Sequence, residues 1–291
     1  ALEALIDSKT KAVFCESIGN PAGNIIDLKA LADAAHRHGV PLIVDNTVAT
    51  PILCRPFEHG ADIVVHSLTK YMGGHGTSIG GIIVDSGRFP WGEHKEKFVR
   101  LNTPDVSYHG VNYVEAMGAA AYIARARVVP LRNMGAAISP MNSFQILQGI
   151  ETLPLRMDRI CSNTQRVAEF LEAHPAVDWV EYAGLEGNPS KPLVDKYMGG
   201  RASGILSFGV KGGVEAGARF IDALQLFVRL VNIGDAKSLA CHPASTTHRQ
   251  LSVEEQRKAG VRPEMVRLSI GIEHVDDLIE DLEQALAAAR Q

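Results

Sequence analysis

The sequence is poor in the features that mark several classes of protein. It has only four cysteines in 291 residues, widely spaced and with no C-x-x-C pair: Cys15, Cys54, Cys161 and Cys241. This pattern indicates reduced thiols rather than a disulfide framework. No apolar run approaches the ~20 residues of a membrane span. With a formal net charge of −4 and no basic runs, the chain gives no reason to expect a nucleic acid or an anionic membrane as partner.

What remains is the composition of an ordinary globular protein. Hydrophobic residues make up 46% of the chain and charged residues 21%, which argues against disorder and allows a substantial core. The first residues have no signal-peptide charge layout. Together with the reduced thiols, this predicts a cytoplasmic protein.

The first half of the chain alternates strand and helix patterns. Lys11–Glu16 is predicted as a strand, and a helix capped by Asp27 follows it and ends at Gly39. Apolar runs then predict strands that end at Asp45 and near Val65, with a third at residues 80–84. This order favours an α/β fold, with a mainly parallel sheet covered by helices on both faces.

The pattern changes after Leu153-Pro154. Strands are predicted at residues 202–210 and 265–270, and helices at 157–173, 214–224 and 275–289, with a loop at 184–200. Upstream, residues 89–129 are irregular apart from a helix predicted around 114–126. We therefore predict two domains: a large domain over residues 1–152, and a smaller C-terminal α+β domain over 153–291.

An acid and a lysine at neighbouring strand ends provide the main chemical signal. Asp45 and Lys70 follow predicted parallel strands, at the edge where α/β proteins bind ligands, and Ser67 and Thr69 flank the lysine with hydroxyls. Pyridoxal 5′-phosphate uses this set: the lysine forms a Schiff base, a carboxylate holds the ring nitrogen protonated, and hydroxyls can bind phosphate. Taken singly, Lys70 could be a solvated lysine and Asp45 a turn cap.

Several motifs in succession resemble one family. They are Glu16-Ser17-Ile18-Gly19-Asn20-Pro21, Val44-Asp45-Asn46-Thr47, Ser67-Leu68-Thr69-Lys70-Tyr71, Gly73-Gly74-His75-Gly76, Leu153-Pro154-Leu155-Arg156-Met157, His242-Pro243-Ala244-Ser245 and Val266-Arg267-Leu268-Ser269-Ile270-Gly271. The series is similar to the Cys/Met-metabolism family of PLP-dependent enzymes, from near the first residue to the last. The resemblance implies the type I, aspartate-aminotransferase-like fold.

The resemblance also implies roles for the matching residues. Lys70 would be the catalytic lysine, bound to the cofactor, and the cofactor would contact Asn20, Asp45, Ser67 and Thr69. For the α-carboxylate of an amino-acid substrate, it implies Arg267 and Asn232. From the residues alone, Asn20 could be a turn former, Asn232 a loop cap, and Arg267 a solvent-facing strand residue.

Two details resemble the O-acetylhomoserine sulfhydrylase branch of the family. They are Ser107-Tyr108-His109-Gly110 in the segment after the lysine, and Asn232-Ile233-Gly234-Asp235-Ala236, where lyase and γ-synthase relatives usually have serine in place of Asn232. This implies conversion of O-acetylhomoserine and a sulfur donor to homocysteine and acetate, in methionine biosynthesis. The sequence leaves open the donor (sulfide, a thiol or a carrier-protein thiocarboxylate) and an acetyl or succinyl leaving group. A cystathionine γ-synthase or γ-lyase is the alternative.

Family members begin with a segment that this sequence does not match. That segment carries a glycine-containing phosphate-binding turn, a tyrosine that stacks on the cofactor, and a Tyr/Arg pair lent to a neighbouring subunit. We therefore expect the 291 residues alone to bind the cofactor weakly. With such a segment the resemblance implies a homo-oligomer, a tetramer built as a dimer of dimers. A catalytically incompetent fragment is the remaining alternative.

A metal site is not predicted. His242 and His248 flank a Pro-Ala-Ser-Thr-Thr run, but their spacing matches no common zinc signature. Structural hydrogen bonding, or a wall of the substrate pocket, is the interpretation that we prefer for both.

Overall fold

A computed structural model of the chain describes residues 2–246, 249–258 and 260–290. Within these ranges, nine strands form two sheets: β1 Val13–Glu16, β2 Leu42–Asp45, β3 Ile63–Ser67, β4 Gly81–Asp85, β5 Val177–Glu181, β6 Ile205–Val210, β7 Val228–Arg229, β8 Leu239–Cys241 and β9 Met265–Ser269. The α-helices are α1 Leu28–Arg37, α2 Thr50–Leu53, α3 Val99–Asn102, α4 Tyr113–Met117, α5 Ala121–Ala126, α6 Arg132–Met134, α7 Pro140–Glu151, α8 Leu153–Ala173, α9 Lys191–Met198, α10 Gly213–Ala223, α11 Val253–Lys258 and α12 Val275–Ala289.

The first sheet has the order β1-β2-β3-β4, and it is mainly parallel as predicted. Strands β1, β2 and β3 run parallel, and α1 supplies the crossover from β1 to β2. The strand predicted at residues 80–84 is present as β4, but it pairs with β3 in the antiparallel direction. The segment between β3 and β4 contains no helix to carry the chain back, so the strand returns alongside β3.

Helix α1 forms where the sequence predicted it. The Asp27 side chain accepts a hydrogen bond from the Ala30 amide at 3.1 Å, and Leu28, Ala32 and Ala35 are buried. Gly39 follows in the left-handed conformation, with φ +61°. Local capping chemistry therefore sets both ends of this crossover helix.

The second sheet has the order β5-β6-β9-β8-β7, and its β5-β6-β9-β8 pairs are antiparallel. The long α8 and the helices α10 and α12 pack against it or against one another. Chain position 152, the predicted domain boundary, is the single residue between α7 and α8. One hydrophobic cluster joins residues from both sides of it, among them Val44 and Phe208, so the division into two domains stays a prediction.

Two predictions in irregular regions were wrong in detail. Residues 184–200 were predicted as a loop, but α9 forms there. Pro192 lies in the first turn, where helices tolerate proline, and the helix buries Val194, Tyr197 and Met198. The helix predicted around 114–126 is interrupted by a 3₁₀ turn between α4 and α5, beginning at Gly118, whose φ is +53°. In the part of the chain that the structure describes, no helix is long and apolar enough to cross a membrane.

Candidate active site

The parallel strands β2 and β3 bring Asp45 and Ser67 to the same edge of the first sheet. An Asp45 carboxylate oxygen accepts a hydrogen bond from the Thr47 amide at 2.9 Å. The Thr47 hydroxyl in turn accepts one from the Ser67 amide at 2.8 Å. Thr47, which the sequence analysis gave no role, thus joins the two strand ends that carry predicted site residues.

Lys70 lies in a tight turn just beyond β3. The amide of Gly73 donates to the Leu68 carbonyl at 2.9 Å, and the amide of Gly74 donates to the Lys70 carbonyl at 2.8 Å. The Lys70 amine donates to the side-chain oxygen of Asn232, which lies 162 positions further along the chain. Burial lowers the pKa of the Lys70 amine from its ordinary value, and the positive charge of Arg267 lowers it further.

Arg267 connects Asn232 to Asn20. From β9 it donates to the Asn20 side-chain oxygen at 3.2 Å and to the Asn232 backbone oxygen at 3.1 Å. Its Nε is buried and has no hydrogen-bond partner among the described residues. The structure therefore brings together four of the residues predicted for the site, and leaves the arginine with an unused donor.

The two hydroxyls beside the lysine differ in their partners. The Thr69 hydroxyl donates to the Gly80 carbonyl at 3.2 Å and accepts from the Gly80 amide at 3.1 Å. Among the described residues the Ser67 hydroxyl makes no hydrogen bond, whereas the Ser67 amide donates to the Thr47 hydroxyl. Ser67 is thus free to bind an external group, whereas Thr69 would have to turn away from Gly80 to donate to a phosphate.

His66 is a residue that sequence reasoning passed over. It is only 7% exposed, and its Nδ1 has no partner within the described chain. Burial lowers its pKa, while the Asp45 carboxylate opposes that shift. The alternation of side chains along β3 could have indicated that His66 is buried, since it places His66 on the more buried side of the strand, away from Ser67.

The side chains present fit pyridoxal phosphate. Lys70 offers an amine of lowered pKa, and Asp45 offers a carboxylate with one described amide donor. The Ser67 hydroxyl can donate to a phosphate, and the Arg267 guanidinium, whose contact with Asn20 is exposed, can donate to a carboxylate. The site thus contains an amine for the Schiff base, a carboxylate for the ring nitrogen, and hydrogen-bond donors for the phosphate and the substrate carboxylate.

The histidines of the Pro-Ala-Ser segment do not form a described metal site. His242 is buried, and both of its ring nitrogens have partners at 2.8 Å, the Ser245 hydroxyl and the Pro263 carbonyl. His248 lies outside the described residues. Within those residues, no group of three or more His, Cys, Asp or Glu side chains is placed to hold a metal ion.

Comparison with known proteins places the chain in a family. The model of the Cys/Met metabolism PLP-dependent enzymes matches residues 1–287. An O-acetyl-L-homoserine sulfhydrylase of Leptospira meyeri is 52% identical over 289 residues, which cover 96% of this chain and 65% of that protein. The homocysteine synthase of Schizosaccharomyces pombe is 49% identical over 289 residues, which cover 99% of this chain and 67% of that protein.

A solved structure agrees with the predicted fold. The Campylobacter jejuni protein named as an O-acetylhomoserine (thiol)-lyase, which carries a pyridoxyl-lysine phosphate, superposes with a TM-score of 0.93 at 43% identity. The match covers 98% of this chain and 68% of that one. Over its own length the chain thus has the type I fold that was predicted, and it spans about two thirds of the relatives that it matches, 65% of the Leptospira protein. The predicted cofactor, pyridoxal phosphate, is confirmed as that of the matching enzymes, and the chain belongs to the Cys/Met-metabolism family of PLP-dependent enzymes.

Proposed function

We propose that the protein catalyses a PLP-dependent γ-replacement, in which O-acetylhomoserine and a sulfur donor give homocysteine and acetate. The observation that carries the proposal is the contact series from the Lys70 amine through Asn232 to Arg267. It sets a base of lowered pKa beside a guanidinium that can bind a carboxylate. Similarity to proteins named O-acetyl-L-homoserine sulfhydrylase and homocysteine synthase supports the choice of substrate.

The proton chemistry rests on Lys70 and Asp45. Pyridoxal phosphate, when bound, supplies a protonated ring that withdraws electrons from the substrate Cα. The Lys70 amine takes the proton from Cα, because its lowered pKa leaves more of it in the free-base form. The Asp45 carboxylate, held by the Thr47 amide, would keep the ring nitrogen protonated through its negative charge.

Binding and orientation rest on the remaining predicted residues. Arg267 holds the substrate α-carboxylate through its guanidinium, whose hydrogen bond to Asn20 is exposed. Asn232 and Asn20 fix the guanidinium from either side. Ser67 would donate to the phosphate, and Thr69 would join it if its hydroxyl turned away from Gly80. By the family resemblance, Asn20 would also bind the phenolic oxygen of the cofactor.

The bonds exchanged lie at Cγ of the substrate. The Cγ–O bond breaks and acetate leaves with the bonding electrons, and a thiolate or sulfide forms the new Cγ–S bond. Lys70 is the group that can move protons at Cα and Cβ between these events. Sulfide is the simplest donor consistent with this balance.

A substrate comparison tests the proposal. The protein is purified with the N-terminal segment that family members carry, supplied with cofactor and given O-acetylhomoserine and sulfide. Homocysteine and acetate are then measured by mass spectrometry. Matched reactions contain O-succinylhomoserine with cysteine, cystathionine alone, or methionine alone. Homocysteine and acetate in equal amounts are expected. Faster formation of cystathionine from O-succinylhomoserine and cysteine would assign a γ-synthase instead. Faster formation of α-keto acid from cystathionine or from methionine would assign a γ-lyase.

The proposal extends to assembly and location. The substrates are small molecules, and the resemblance supports a cytoplasmic homo-oligomer, a tetramer arranged as a dimer of dimers. Light scattering at several protein concentrations measures the assembly. A monomer that retains full turnover would contradict this part of the proposal and leave the chemistry unaffected.

A further inference from the structure

The turn that carries Lys70 ends against a buried arginine. Arg156, on α8, is only 5% exposed. It donates to the carbonyl oxygens of Tyr71 at 2.7 Å and of Met72 at 3.2 Å, the two residues that follow the lysine. These are end-of-turn carbonyls of the kind that a helical turn leaves without internal partners, and a cation is the favoured group beside them.

The rest of the guanidinium is also engaged. It donates to the Gly149 carbonyl at 2.6 Å and to the Thr152 hydroxyl at 3.1 Å. Burial lowers the pKa of Arg156, and the nearby Asp235 carboxylate opposes that shift. The buried Arg156 charge is stabilised by backbone carbonyl groups and by the Asp235 carboxylate. The need to keep these partners defines the position of the side chain closely.

Glycines make room for this contact. A Cβ on Gly74 would overlap the Arg156 guanidinium, and a Cβ on Gly149 would overlap the backbone of residues 72–73. Gly74 also has a φ of +72°, which favours glycine. Its carbonyl accepts a hydrogen bond from the Ala236 amide at 2.8 Å, so the turn is joined to the segment that contains Asn232.

From these contacts we infer that Arg156 is a positioning residue for Lys70: it fixes the turn after the lysine, and so holds the amine against Asn232. The inference rests on the proposed function for its catalytic consequence. Arg156 touches neither the Lys70 amine nor any predicted ligand group, and therefore acts through the backbone alone.

The test separates positioning from general stability. In the cofactor-free protein, the pH dependence of Lys70 acylation is followed by mass spectrometry of its peptide. Arg156→Met should move the titration of Lys70 upward, towards the ~10.4 of a free lysine. With cofactor, kcat should fall by about 10²-fold while KM changes little, as expected from a misplaced catalytic group. Arg156→Lys should recover part of both effects.

A matched control is Asp281→Asn. Asp281 is also buried, and its carboxylate accepts hydrogen bonds from the backbone amides of residues 225–227. Its loss should lower the melting temperature without moving the Lys70 titration. If Arg156→Met behaves in the same way, Arg156 is a structural residue and the inference is overturned.

A milder variant covers the case in which Arg156→Met does not fold. Thr152→Val removes one acceptor of the guanidinium and should shift the Lys70 titration upward by a smaller amount; an unchanged titration there counts against the inference. Absence of homocysteine from the unmodified protein would refute the proposed function alone, because the acylation measurement uses neither substrate nor cofactor.

Discussion

Two arginines contact the surroundings of Lys70, and they use their donors differently. Arg156 donates to three carbonyls and a hydroxyl, all within the protein. Arg267 donates to Asn20 and Asn232 but keeps a buried Nε without a described partner. A buried donor without a partner is costly unless a ligand or water satisfies it. Arg156 therefore holds the backbone of the lysine turn, whereas the Arg267 bond to Asn20 is exposed, so a carboxylate can reach that guanidinium.

Both arginines matter for catalysis only if Lys70 carries the chemistry, so its loss should give the largest effect. Lys70→Ala should lower homocysteine formation by about 10²–10⁴-fold from lost proton transfer alone. The exposed Lys237 offers a control, since Lys237→Ala should leave turnover unchanged. Borohydride reduction of the unmodified protein should place the pyridoxyl mass on the peptide with Thr69-Lys70-Tyr71. Label on another lysine would contradict the assignment.

Neither arginine is described as contacting Asp45. A substitution of Asp45 therefore measures how much its charge contributes to electron withdrawal by the cofactor ring, separately from the arginines. Asp45→Asn should lower kcat by roughly 10²–10³-fold while cofactor affinity weakens modestly, because the charge opposite the ring nitrogen is lost. Asp85→Asn, in β4 of the same sheet, is the matched control and should retain turnover. Turnover near normal in the Asp45 variant would show that the ring does not depend on this carboxylate.

The arginine comparison is tested directly by Arg267→Met. We expect kcat/KM to fall by about 10–100-fold, mostly through KM, since a hydrogen bond to a charged group is worth ~1.5–3 kcal/mol. Arg156→Met should act mostly on kcat. An amine analogue of the substrate that lacks the α-carboxylate provides the control: the unmodified protein should discriminate against it, and Arg267→Met should not. If Arg267→Met still discriminates against the amine analogue, another residue binds the substrate α-carboxylate.

The smallest expected effect is a shift in pH dependence. The free amine of Lys70 is the active form, so the acid limb of kcat reports its pKa. Because Arg267 lowers that pKa, Arg267→Met should move the limb to higher pH. Arg219, whose guanidinium donates to the Ala289 carbonyl at 3.0 Å, gives a control in Arg219→Met, which should leave the limb in place. A shift to lower pH would contradict the electrostatic argument.

Local chemistry was predictable from the sequence. The Asp27 cap and Gly39 set the ends of α1. Asp45 ends β2 and Lys70 follows the end of the neighbouring β3 by three residues, as the sequence indicated. The antiparallel direction of β4 was not predictable in the same way. It depends on the segment between β3 and β4, which contains no crossover helix.

Local sequence pattern was not enough to predict the site residues other than Asp45 and Lys70. Asn20 and Arg267 lie 247 positions apart, and only the family resemblance had placed both at the site. Arg156 belonged to a quoted motif but received no role, since an arginine in a helix usually reaches water. Its burial follows from the space left by Gly74 and Gly149, which is a property of tertiary packing.

The bond from the Ala236 amide to the Gly74 carbonyl has a consequence for how this protein can change through mutation. A Cβ on Gly234 would lie 2.5 Å from the Tyr71 nitrogen, so residues 232–236 and 70–74 share one surface. Substitutions in contacting segments are not additive. Epistasis is therefore expected between residues 232–236 and the lysine turn, so that a substitution in one segment is tolerated better when the other changes with it.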